Sequence, residues 1–212
     1  MTPLPPDALG RALGYPYPAP AGSYLFSDGR KYPGAAKIPV EAAWLDGFDT
    51  VYAARISGYG AVPATIAPCP GCRVAVKVLW LSLDQLPAMH ASEAIGVGYD
   101  FGVLEAPLIC HHSGLLPRAL VYIARSGAFA PEGEPLALAE IAAEQRRWRS
   151  ASQPAIQERM RSALEPAMPL DAFLAAQIGR RELRLERAAW LAKTALPWHH
   201  SRFRALTAED PL

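Results

Sequence analysis

The chain has 212 residues, enough to bury a sizeable core, and its 51% hydrophobic and 19% charged content excludes a disordered polymer. The 21 basic and 20 acidic residues leave a formal charge of +1, too weak a field to gather nucleic acid or an anionic membrane, so neither is an expected partner. The opening residues lack a basic start followed by an apolar run, no stretch approaches the ~20 apolar residues of a membrane span, and three cysteines fit reduced thiols better than a disulfide framework, so a cytoplasmic protein is expected.

Residues 1–21 are rich in proline and are expected to run extended over the surface as an arm. Next, Ser23-Tyr24-Leu25-Phe26 reads as a short strand stopped by the turn-forming Ser27-Asp28-Gly29. Further strands are expected over 49–56, 64–67, 73–81, 98–108 and 120–124, from their β-branched and aromatic content. The Pro-Gly dipeptide within Pro68-Cys69-Pro70-Gly71-Cys72 predicts a hairpin joining 64–67 to 73–81. Two-residue alternation then puts Val74, Val76, Val78 and Trp80 on one face, which is core.

Asp84 is placed to N-cap a short helix with Pro87 in its first turn, where the missing N–H does no harm. That helix carries Leu86, Met89, His90 and Glu93 before Gly96 and Gly98 end it, so Glu93 falls at a helix-to-strand corner just ahead of Tyr99. From Pro135 the pattern turns helical, with Leu138, Ile141, Ala142, Gln145 and Trp148 at helical spacing, and two more helices follow over 154–164 and 170–195. Strands followed by a block of helices predict an α+β protein.

The last helix brings Arg180, Arg181, Arg184 and Arg187 together with Glu182 and Glu186, and Trp198, His199 and His200 follow. With net charge near zero, this reads as a solvated helix face and a packed tail, with Leu174, Ile178, Leu185 and Ala189 as its apolar stripe. The layer offers a surface for packing on the domain or on a second copy as a homodimer. Cys69 and Cys72 have the C-x-x-C spacing of a zinc knuckle, which Cys110 and His111 would complete, but a second C-x-x-C is missing and no metal is expected.

The order of parts resembles the gamma-glutamylcyclotransferase-like superfamily, which includes gamma-glutamylamine cyclotransferases, AIG2-like proteins and the C-terminal-type domain of allophanate hydrolases. The resemblance is carried by Val76-Lys77-Val78-Leu79-Trp80-Leu81, Leu83-Asp84-Gln85-Leu86, Ser92-Glu93-Ala94 and Gly98-Tyr99, and covers roughly residues 22–130. It implies a small mixed or antiparallel β-barrel with packed helices, here flanked by the arm at 1–21 and a C-terminal helical extension at 131–212. It makes the Pro68–Cys72 turn a plain hairpin tip. It also implies a cofactor-free enzyme in which Glu93 is the catalytic acid/base, acting on a small gamma-glutamyl-type amide to give 5-oxoproline and a released amine or amino acid.

Tyr24, Phe26, Ser27, Asp28, Gly29, Tyr99 and Tyr122 fall where the family lines its substrate site. The family's Tyr-Gly-Ser-Asn loop reads Phe26-Ser27-Asp28-Gly29 here, and a carboxylate at Asp28 would repel a substrate carboxylate unless it turns away or pairs with Arg30 or Lys31. That departure keeps two alternatives open: a small-amide hydrolase with a different substrate, and a non-catalytic binding or assembly protein on the same fold.

Overall fold

The computed structural model describes residues 17–19, 40–58, 60–81, 86–178, 180–197 and 202–207. The expected strand at 23–26, the turn residues Ser27, Asp28 and Gly29, the cap Asp84, and Trp198, His199 and His200 therefore lie outside the described residues, as do Tyr24 and Phe26.

Two long strands make the frame, β2 (Val40–Tyr52) and β3 (Ala64–Leu79), paired antiparallel from Val40↔Leu79 to Tyr52↔Ala64. The hairpin expected inside β3 does not form. Both of its halves pair with β2, and the pairing passes from Phe48↔Pro68 to Asp46↔Arg73, so Cys69-Pro70-Gly71-Cys72 bulges outward between them. Gly71 supplies the positive φ, +82°, that the excursion requires, and a Cys69–Cys72 disulfide closes its base. Pro-Gly does mark a reversal here, but alternating apolar residues on both sides hold β3 to a single partner. The two cysteines are thus bonded to each other rather than reduced.

β1 (Tyr17–Ala19) adds to the outer edge of β3 through Tyr17↔Leu79, so this part of the proline-rich arm is a strand in the sheet. On the other side of β2 come β5 (Leu108–Cys110) and β6 (Gly114–Leu116). A second sheet is formed by β4 (Tyr99–Leu104) and β7 (Ala119–Ala124), with β13 (Phe203–Ala205) on its edge. The alternation read from the sequence is real: Val74, Val76, Val78 and Trp80 are all buried, and they pack against Leu104, Val121 and Ile123 of the second sheet. Each large apolar side chain taken from water in this layer contributes ~1.5–3 kcal/mol.

The class is α+β, as expected, with mostly antiparallel sheets that do not close into a barrel among the described residues. The helix expected from Pro135 is replaced by short strands: β9 (Ala137–Leu138), β10 (Ala143–Gln145) and β11 (Ser150–Ala151), following the small β8 (Ala128–Phe129). The apolar spacing there serves contact rather than helix. Ile141 is buried in the main core with Leu138 packed on it, while Ala143 pairs with Val74 of β3.

After α1 (Leu86–Glu93) there are three more helices among the described residues, α2 (Gln153–Leu164), α3 (Leu170–Gln177) and α4 (Arg181–Ala192), and then β12 (Ala195–Leu196) against β8. The single helix expected over 170–195 is divided in two, with Gly179 in the sequence between them. Of the expected apolar stripe Leu174 packs on the core, but Ile178 and Leu185 are 66% and 59% exposed, and Ala189 is exposed too. Ile156, Met160, Phe173 and Leu191 form the buried face instead, against Tyr52 and Phe129. Arg187 belongs to this interior and not to a solvated face: its guanidinium lies 3.5 Å from the centre of the Phe173 ring, and Nη1 donates to the Phe173 carbonyl at 2.8 Å. No helix among the described residues is long and apolar enough to cross a membrane.

Candidate functional site

Helix α1 is set by the side that faces the second sheet. Leu86 and Met89 are buried in a cluster with Phe101, Val103 and Tyr122, and His90 shares a 2.6 Å hydrogen bond between Nδ1 and the Tyr122 hydroxyl. His90 also meets the Phe101 ring edge-on, with centroids 4.6 Å apart. Burial favours the neutral form of both partners, lowering the His90 pKa and raising that of Tyr122, so the phenol keeps a proton to donate to the ring nitrogen.

Leu86, Met89, His90 and Glu93 stand at helical spacings of three and four, so the turn of helix that seats His90 carries Glu93 inward along the same face. Helix α1 ends at Glu93 because the chain leaves helical geometry at once. Ala94 takes φ +51°, Gly96 takes φ +78°, and the Val97 and Gly98 amides both donate to the Ala94 carbonyl, at 3.1 and 2.7 Å. Tyr99 then opens β4, and its hydroxyl donates to the Ala64 carbonyl at the start of β3, at 3.1 Å. The helix-to-strand corner read from the sequence is therefore tied to both sheets.

Glu93 is partly buried, and among the described residues its carboxyl group is given no hydrogen-bond donor. Burial pushes its pKa from 4.5 up to about 7, and the positive charge of Arg55 offsets this only in part. The C-terminal end of a helix, lined with outward carbonyl oxygens, is in addition the wrong end for an anion. A carboxyl group of this kind exchanges protons near neutrality, which general acid/base chemistry requires.

Arg55 is the residue that sequence reading missed. Beyond β2, Ala53 bridges to Ala128 and the Ala54 amide donates to the Gly127 carbonyl at 2.9 Å, which directs the next side chain toward the α1–β4 corner. Its guanidinium carbon lies 5.1 Å from the centre of the Tyr99 ring. Gly98 leaves the space for it, since a Cβ there would fall 1.9 Å from Nη1. The one sequence signal was that glycine directly before Tyr99, and it named no partner.

Of the other expected site residues, Tyr99 is partly buried beside Arg55, whereas Tyr122 is 7% exposed, with its hydroxyl spent on His90 one turn before Glu93. Tyr24, Phe26, Ser27, Asp28 and Gly29 belong to the undescribed residues. Among the described residues, no group of three or more His, Cys, Asp or Glu side chains is gathered as a metal ion would need. A cavity of about 210 Å³ between β11 and α2, lined by Leu136, Ile156, Arg149 and Arg159, shares no residue with the corner. Its two arginines are paired with Glu132.

No protein-family profile matches the sequence, and no curated protein does. The chain is similar to solved structures that include a gamma-glutamyl cyclotransferase, at 14% identity and a TM-score of 0.42, over 92% of this chain and 94% of that one. An uncharacterized protein from Homo sapiens aligns over the same shares, at 15% identity and a TM-score of 0.42. A solution structure of an Arabidopsis thaliana protein aligns at 16% identity and a TM-score of 0.31, over 57% of this chain. The chain spans 61% of that protein's length and 61% of a second Arabidopsis thaliana protein's.

Proposed function

We propose that the chain is a cofactor-free acid/base enzyme that cleaves a small gamma-glutamyl-type amide, with Glu93 as the catalytic residue. One observation carries the reading: a carboxyl group at a helix-to-strand corner, without hydrogen-bond donors among the described residues, whose pKa is pushed up to about 7. In the reaction the substrate's α-amine attacks its own γ-carbonyl. A carbon–nitrogen bond forms to close the five-membered ring, and the bond to the departing amine breaks. Glu93 takes a proton from the attacking nitrogen and delivers a proton to the leaving nitrogen, so one carboxyl group serves both halves.

The products are 5-oxoproline and an amine or amino acid. The test is a panel of gamma-glutamyl amides assayed for both products with the wild type and with Glu93→Gln. Turnover by the wild type that Glu93→Gln loses supports the reading, and turnover unchanged in Glu93→Gln removes Glu93 from the mechanism. The sequence Phe26-Ser27-Asp28-Gly29 favours one rival, a small-amide hydrolase, because it brings a carboxylate into the stretch that resembles the family's Tyr-Gly-Ser-Asn motif. Product analysis separates the two, since hydrolysis yields the free acid in place of 5-oxoproline.

A further inference from the structure

We infer that Arg55 receives a carboxylate of the substrate, which makes the substrate an amide bearing a free acid group. The inference deepens the acid/base reading and rests on it for the identity of the reaction, but not for the binding event.

The arginine is built in, with one donor nitrogen left unpaired among the described residues. Its Nη1 is buried and has no hydrogen-bond partner among the described residues, although a guanidinium carries five donors and an unmet charged donor is costly. Other arginines of this fold are answered by carboxylates. Arg146 forks onto Asp49 at 2.9 and 3.1 Å, and Arg73 forks onto Asp46 at 2.5 and 3.1 Å. Arg55 instead has the Tyr99 ring beside it, the side-chain-free Gly98 against it, and Glu93 close enough to feel its charge without forming an ion pair.

An arginine meant only to neutralise Glu93 would sit on that carboxylate and hold its pKa low. Here the carboxyl titrates at about 7, and Nη1 of the guanidinium has no hydrogen-bond partner among the described residues. The planar fork matches a carboxylate in two parallel hydrogen bonds, and the aromatic ring fixes its plane in advance. A ligand carboxylate seated there places the attached chain beside Glu93.

The probe is glutarate, a five-carbon dicarboxylate, with neutral glutaramide as its control, titrated calorimetrically into the full chain. Saturable glutarate binding is expected in the wild type and in Glu93→Gln. In Arg55→Met it should weaken by about tenfold or more, while glutaramide should not distinguish wild type from Arg55→Met. If Arg55→Met does not fold by its thermal melt, Arg55→Gln carries the same comparison. Glutarate should also protect Arg55 from phenylglyoxal in the wild type, read by peptide mass spectrometry, with no variant needed.

Absence of saturable binding, equal affinity in a folded neutral variant, or no protection overturns the inference. If no gamma-glutamyl amide is turned over while glutarate still depends on Arg55, the acid/base reading fails and this one stands. Turnover that needs Glu93, with glutarate indifferent to Arg55, sinks this one alone.

Discussion

Two buried-side glutamates of this chain have been placed in opposite surroundings. Glu41, on β2, is 5% exposed and accepts hydrogen bonds from Trp80 Nε1 at 3.0 Å, the His112 and Ser113 amides at 3.0 and 3.2 Å, and the Ser113 hydroxyl at 2.6 Å. Burial alone would raise its pKa, but those donors outweigh it and hold the group below the usual carboxylate value. Glu93 has no such donors among the described residues, so burial goes unanswered by hydrogen bonds and pushes its pKa the other way, offset only in part by Arg55. Donors that answer the burial separate a carboxylate that holds a structure from a carboxyl group that can trade protons.

The largest test of that contrast is turnover. Glu93→Gln should lower kcat by about 100-fold or more, the usual share of a general acid/base, while its melting temperature at pH 8 stays the same or rises. Glu41→Ala should do the reverse. Four donors would lose their acceptor, and chemical denaturation should show a loss of about 3 kcal/mol or more, with turnover per folded molecule retained.

A smaller effect sharpens the sign. The Glu93 pKa is raised in the fold, so the native state binds more protons than the unfolded chain between pH 4.5 and about 7, and its stability falls as pH rises through that window. Denaturation of wild type against Glu93→Gln should therefore coincide near pH 4 and diverge toward pH 8, with the variant more stable by about 3 kcal/mol at most. kcat/KM of the wild type should rise to a plateau through pH about 7. Melts that separate at low pH and converge at high pH would contradict this. Least of all, Tyr122→Phe removes the His90 hydrogen bond and should cost about 1 kcal/mol of stability. Its effect on turnover should stay well below that of Glu93→Gln, since Tyr122 touches the site through α1.

Much of this was legible before any coordinates. The valines at 74, 76 and 78 and Trp80 alternate with a period that only a strand with one buried face explains, and they are core. Leu86, Met89, His90 and Glu93 recur at the helical interval just before two glycines and a tyrosine, so the corner could be drawn from spacing alone. The region from 135 to 151 misled because apolar residues three and four apart also occur in irregular chain pinned at Leu138 and Ile141 against a sheet. The final helices misled in another way: Arg187 is buried by a ring face and a carbonyl supplied from α3, partners that a one-dimensional charge pattern does not contain.

The sequence by itself determined which residues alternate, where a helix must stop, and that a glutamate would stand at that stop, because these are short-range consequences of backbone geometry and side-chain period. Tertiary structure alone decided that the Cys69–Cys72 segment is a bulge in one strand and that, among the described residues, Glu93 lacks the donors Glu41 enjoys. It alone brought Arg55 to the same corner over Tyr99. Those outcomes depend on which distant segments meet, and pairing between strands and the fields of remote charges leave no local mark in the order of residues.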